Sequence, residues 1–209
     1  MKGLFITLEG VDGSGKSTQI QCLKEYFENR GFDVLVVREP GSTTIGEQVR
    51  DILLDINNDK MTPITEAMLY AAARAQLVSE VIKPALLEGK IVIADRFIDS
   101  SLAYQGIGRD IGIDNVYKIN SYALGDLMPN ITFFLDISPL PAMARKVKQH
   151  SLDRLELCGL GFQNDLYEGF KYLATIYGDR IKTIDATRSI NKINQDLIKY
   201  CEELIEDGE

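Results

Sequence analysis

Short apolar runs alternate along the chain with longer segments whose apolar residues recur every three or four positions. The runs at 4–8, 33–37, 90–94, 131–137 and 180–185 are bounded by turn-forming or charged residues and rich in Val, Ile and Phe, which predicts five strands. Segments 19–29, 44–55, 62–88, 113–124, 139–149, 161–176 and 190–205 carry the helical period. In 44–55 the apolar stripe is Ile45, Val49, Ile52 and Leu53, with Arg50 on a different face. In 62–88 it is Met68, Leu69, Ala72, Leu77, Val81, Ile82 and Leu86; Thr62 and Pro63 suit a cap and a first-turn proline, and Pro84 is expected to end or kink the helix late. Residues 97–109 read as a short helix and a glycine-rich loop, 145–156 as a polar stretch, and 206–209 as a frayed acidic tail. With no internal repeat and no low-complexity linker, the alternation predicts one domain built on a doubly wound parallel sheet with helices on both faces.

In open α/β sheets ligands sit beyond the carboxyl ends of the strands. The first strand runs directly into Gly10-Val11-Asp12-Gly13-Ser14-Gly15-Lys16-Ser17-Thr18, which fits the phosphate cradle G-x-x-x-x-G-K-[ST]. Glycines let the backbone approach a phosphate with no Cβ in the way, and the helix that follows adds its positive end. The lysine suits the terminal phosphates, and the Ser17 hydroxyl suits magnesium. The second strand ends in Arg38-Glu39-Pro40-Gly41 and the third in Asp95-Arg96, followed by Ser100, Ser101, Tyr104 and Gln105. Tyr70 and Arg74, four apart, share a helix face.

Composition narrows what such a cradle can serve. The 209 residues are 45% hydrophobic and 26% charged, a globular balance with no apolar run of membrane-spanning length and no secretory pattern, so a cytoplasmic location is expected. Net charge is −8, which argues against nucleic acid as a partner. Cys22, Cys158 and Cys201 are widely spaced and read as free thiols, and His150 is the only histidine, which argues against a zinc site or a histidine triad. In an acidic molecule, Arg38, Arg74, Arg96 and Arg109 near one edge, with Arg154 in the polar stretch, suggest a second anionic ligand beside the nucleotide. A guanine-reading GTPase is disfavoured, because Asn191-Lys192-Ile193-Asn194 lacks the aspartate of the guanine motif. A nucleotide-gated binding protein with slow ATP hydrolysis is the competing class, and no partner-binding segment stands out for it.

Taken together, the cradle, Arg38-Glu39-Pro40-Gly41, Tyr70 with Arg74, Asp95-Arg96 with Tyr104-Gln105-Gly106, Leu135-Asp136, Asp153-Arg154-Leu155-Glu156 and Ile184-Asp185-Ala186-Thr187 resemble the bacterial thymidylate kinases over nearly the whole chain. The resemblance implies a P-loop NTPase fold of the nucleoside monophosphate kinase kind. It further implies transfer of the γ-phosphoryl group of MgATP to dTMP, giving dTDP on the way to dTTP, by a homodimer. Residues Gly10 to Thr18 are then the ATP site, with Lys16 on the β- and γ-phosphates and Ser17 and Asp95 at the Mg2+. Arg38 and Arg96 grip the acceptor phosphate and Asp12 lies at the acceptor sugar. Tyr70 stacks on thymine, Arg74 bonds its carbonyl, Ser101 and Gln105 read other polar edges, and Tyr104 packs on the deoxyribose.

The same resemblance makes about 145–160 a lid. Gly13 stands where one branch of the family has an arginine inside the cradle, and the branch with a small residue there supplies its arginine from the lid. Arg154 is then the candidate, with Lys146 and Lys148 as alternatives. Two arginines usual on the helix after Phe162 are replaced by Asp165 and Tyr167. The apolar face of 66–88 is long enough for a dimer contact, and a core-only role is equally allowed.

Overall fold

The computed structural model describes residues 3–145 and 154–206. Its five strands, β1 (Leu4–Glu9), β2 (Val34–Arg38), β3 (Ile91–Asp95), β4 (Ile131–Asp136) and β5 (Ile181–Asp185), form one all-parallel sheet in the order β2-β3-β1-β4-β5. The doubly wound sheet expected from the alternation is therefore present. The helices are α1 (Lys16–Asn29), α2 (Thr44–Leu54), α3 (Pro63–Leu77), α4 (Lys83–Leu87), α5 (Ile98–Ser101), α6 (Ile113–Leu124), α7 (Pro139–Arg145), α8 (Gly159–Ile176) and α9 (Ile190–Glu206). Residues 146–149 of the helix expected at 139–149, most of the polar stretch with His150, and the tail residues 207–209 lie outside the described residues.

Strand side chains alternate between two cores, because successive residues of a strand point to opposite faces. Phe5, Val92, Ala94 and Phe134 pack with Leu77, Leu102, Leu166 and Phe170 on one face. Ile6, Leu8, Ile91, Ile93, Phe133 and Leu135 pack with Leu23, Phe27 and Leu197 on the other. A parallel sheet buried on both faces needs apolar residues at nearly every strand position, which is why the strands read as runs rather than alternations. Thr7 and Thr132 are the central exceptions. Their buried hydroxyls hydrogen-bond each other at 2.7 Å, and Thr132 continues to Asp99 and Arg180.

Three expectations are modified. The helix expected over 62–88 contains a wider π-helical turn at Val78–Ile82, just before Pro84, whose missing N–H cannot serve the regular ladder. Leu102–Gly108, expected as a loop, is a second π-helical stretch, continuous with α5. The apolar stripes of α2 and α3 are only partly the buried ones: Leu53 and Leu77 are in the core. Ile45, Ile52 and Met68 are exposed, whereas α3 buries Glu66, Ala67, Ala71, Ala73, Arg74 and Leu77. Two charged side chains therefore face inward where periodicity placed apolar ones, and each is compensated by partners described below.

Candidate active site

β1 lies at the centre of the sheet, and its carboxyl end opens into the cradle. Gly10, Gly13 and Gly15 have φ of 139, 82 and 101°, values that L side chains rarely adopt. A Cβ on Gly13 would stand 2.1 Å from the Ala142 carbonyl oxygen of α7, so this position accepts no side chain unless α7 moves. Gly13→Ala is accordingly expected to destabilise the fold by more than about 1 kcal/mol and to raise KM for ATP, measured by urea denaturation and by initial rates. Lys16 Nζ donates to the Gly10 and Val11 carbonyls at 3.1 and 3.2 Å, closing the loop on itself. Burial, and then the Arg96 charge, push its ammonium down to about 8, and bound phosphates would raise it again. The Ser14 hydroxyl is buried without a hydrogen-bond partner, as expected of a cradle completed by an anion.

A cavity of about 890 Å³ runs from Asp12 to Gln19 of the cradle, past Asp95 and Arg96, to Tyr70, Arg74, Ser101, Tyr104 and Gln105. It brings together the site residues read from the sequence except four, one of which, Arg109, pairs with Glu66 outside the lining. Gly10 and Val11 shape the loop from behind, with Val11 in the core, and Arg154 lies outside the cavity lining. Arg154 Nε donates to the Leu53 carbonyl at 2.9 Å, and its Nη2 pairs with Glu66 at 2.6 Å.

Between the two ends of the cavity stand Asp12 and Arg96, joined at 2.6 Å. Arg96 has φ of 69°, a left-handed conformation that costs a non-glycine residue of order 1 kcal/mol or more. It is held by its own N–H on the Leu8 carbonyl, by Ser100 Oγ at 3.1 Å and by the Tyr104 ring, 5.3 Å from the guanidinium. Ser100 in turn donates to Glu9, which also accepts from the Phe97 and Ser100 amides. Burial, with Asp99 nearby, raises the Glu9 carboxyl to about 7. Glu9 thus pins the turn that aims Arg96.

At the far end, Arg74 is fully buried. Its Nε donates to both Glu39 oxygens at 3.0 and 3.1 Å and its Nη2 to Glu39 at 2.5 Å. Ser101 and Asn120 accept from the remaining N–H groups, and the Phe97 ring lies beneath the guanidinium at 5.2 Å. Burial pushes the Glu39 carboxyl up, against the pull of Arg74. Gln105 Nε2 donates to Glu66 at 2.9 Å. Tyr104 packs edge-on to Phe162 and Phe170. Arg38 pairs with Glu47 at 2.7 Å and donates to the Pro40 carbonyl.

Several residues of the cavity were not singled out from the sequence. Arg50 of α2 donates to the same Pro40 carbonyl and lines the cavity; its position on the face away from the apolar stripe was the available signal. Arg145, Gln163 and Arg188 also line the cavity, Arg145 donating to the Ala186 carbonyl at 2.9 Å. Of the two departures on α8, Tyr167 donates to Asp136 at 2.8 Å, and burial with that carboxylate raises its phenol to about 12. Asp165 is exposed.

Residues 8–197 match the family model described as thymidylate kinase. A thymidylate kinase of an Exiguobacterium species is 47% identical over 208 residues, covering 100% of this chain and 98% of the relative. One from Lactobacillus helveticus is 50% identical, covering 97% of each. Among solved structures, thymidylate kinase from Ehrlichia chaffeensis aligns with a TM-score of 0.78 at 32% identity, over 97% of this chain and 99% of that one.

Proposed function

Because the chain belongs to the thymidylate kinase family, we propose that the cavity above the cradle holds ATP and dTMP end to end and that the protein phosphorylates dTMP to dTDP there. The observation that carries the placement is the continuity of the cavity. A phosphate cradle opens at one end, a pocket walled by Tyr70, Arg74, Ser101, Tyr104 and Gln105 lies at the other, and the Asp12–Arg96 pair stands between. The acceptor phosphate has a second pKa of about 6 and is ionised at neutral pH, so no general base is required. What the reaction needs is two polyanions held in line and their charge neutralised.

In this reading Gly10 to Thr18 form the ATP site, and Lys16 leaves the Gly10 and Val11 carbonyls for the β- and γ-phosphates. Arg96, with Arg38 and Arg50 near the opposite wall, holds the acceptor phosphate, and Asp12 orients Arg96 and the acceptor sugar. Tyr70 stacks on the base, Arg74 meets its carbonyl by giving up an N–H now bonded to Ser101 while Glu39 and Asn120 keep the guanidinium aimed, and Tyr104 fills the space a ribose 2′-hydroxyl would need. Arg154 is the transfer arginine and must leave Glu66 to act.

Magnesium fits the donor set: the Ser17 hydroxyl and Asp95 carboxylate are hard oxygens lining the cavity beside Lys16. The chemistry such an ion would supply there is neutralisation of the charge on the nucleotide phosphates, with Ser17 and Asp95 as the residues that would hold it.

No helix among the described residues is long and apolar enough to cross a membrane, and we place the enzyme in the cytoplasm, in dTTP synthesis, without a nucleic-acid partner. We assign a homodimer formed through α2 and α3, whose exposed Ile45, Ile52, Ile64 and Met68 lie on two packed helices.

A coupled assay for ADP release tests the acceptor. Product is expected with dTMP and not with AMP or dGMP. ATP turnover indifferent to every monophosphate would instead favour a slow nucleotide-gated ATPase.

A further inference from the structure

We propose that Glu66 is a positioning residue for base selection: it fixes the Gln105 side-chain amide with its oxygen toward the acceptor base, so that a pyrimidine carrying N3–H is accepted and one with a bare N3 is rejected. This rests on the base-reading role proposed above for Gln105.

Glu66 lies on the inner face of α3, with its side chain only 1% exposed. One oxygen accepts from Gln105 Nε2 at 2.9 Å and from Arg109 Nε at 3.2 Å; the other accepts from Arg109 Nη2 at 3.2 Å and pairs with Arg154 Nη2 at 2.6 Å. Burial alone would raise its carboxyl; Gln105, Arg109 and Arg154 more than offset that and hold it below the usual range. An ionised carboxylate can only accept hydrogen bonds. The amide must therefore turn its NH2 group to Glu66, since the reverse orientation would set oxygen against oxygen in a buried site. The carbonyl oxygen is what remains for a ligand in the cavity that Gln105 lines.

Thymine and uracil offer a donor at N3, whereas cytosine has an acceptor there. A fixed oxygen bonds the first and repels the second, and an unmade buried hydrogen bond is what gives such sites their discrimination. Arg74 is aimed separately, by Glu39 and Asn120, so it discriminates at the 4-position independently.

The test is the ratio of kcat/KM for dTMP to that for dCMP. In Glu66→Gln the partner of Gln105 can donate or accept, the amide is free to turn over, and the ratio is expected to fall by about tenfold or more. Arg109→Met removes an ion pair but leaves the carboxylate, and should keep the wild-type ratio. The exchange Glu66→Gln with Gln105→Glu again directs an acceptor oxygen to the base and should recover the preference for dTMP. Loss of the Arg154 pairing affects both substrates alike, so it cancels in the ratio. An unchanged ratio in Glu66→Gln, with both rates reduced equally, overturns the proposal, as does an equal fall in Arg109→Met. Should Glu66→Gln fail to fold, the exchange variant and Gln105→Met decide: Gln105→Met keeping the wild-type ratio overturns the proposal. Wild-type protein active with neither pyrimidine would remove the thymidylate reading itself, a result distinct from any of these.

Discussion

Arg154→Ala is expected to lower kcat by about 10³-fold or more while changing KM for dTMP by less than about threefold. The ground state explains the asymmetry. Arg154 is outside the cavity lining and paired with Glu66 and the Leu53 carbonyl, so its removal takes nothing from the groups that hold either nucleotide at rest. An arginine that reaches the transferring phosphoryl group only at the transition state contributes to kcat alone. The Ala142 carbonyl stands where a side chain at Gly13 would be, which supports the proposal that the arginine comes from outside the cradle. Glu66 retains Gln105 and Arg109 in the variant, so the fold should survive, and circular dichroism checks this. Arg145 is the rival, since it lines the cavity while bonded to Ala186. A large kcat loss in Arg145→Ala with near-normal turnover in Arg154→Ala would transfer the role to Arg145. Lys146 and Lys148 lie outside the described residues.

Glu39→Ala should destabilise the folded state by about 3–5 kcal/mol, the usual cost of removing one partner from a buried ion pair. Against a total stability of roughly 5–15 kcal/mol, that is a large fraction. Arg74 is 1% exposed and gives three hydrogen bonds to Glu39; without that carboxylate, its charge is buried beside Ser101 and Asn120, both neutral. The urea midpoint measures the loss. Glu39→Leu with Arg74→Met is expected to regain much of it, because an apolar pair of similar volume avoids the buried charge altogether. Binding of dTMP should not return in that double variant. A loss below about 1 kcal/mol in Glu39→Ala would mean that water or another acceptor reaches Arg74, and that Glu39 is not what aims it.

The depth of the π-helical stretch Leu102–Gly108 shows where local reading stops. Residues 97–109 read as a short helix and a loop because glycines and polar side chains crowd there. In the fold Leu102, Ala103, Tyr104 and Gln105 are all buried, and α8 packs so closely that a Cβ on Gly108 would meet the Phe162 ring at 2.7 Å. Arg154 illustrates the other limit. Its residue type and neighbours marked it, yet its partner Glu66 is 88 positions earlier in the chain, a distance no local pattern spans.

What the sequence determined by itself was whatever depends on neighbours along the chain. The five strands, their alternation with helices, the cradle and the charged residues at strand ends are set by periodicity, by glycine conformations and by short motifs, all of them local. The tertiary structure alone decided which face of α3 turns inward. Periodicity favoured Met68 and Ala72, but burying Glu66 and Arg74 became possible once Gln105, Arg109 and Arg154 surrounded the first and Glu39, Ser101 and Asn120 the second. A buried charge is stable only with partners, and those partners come from segments that meet only in the folded molecule. The selectivity proposed for the acceptor pocket depends on that same interior face.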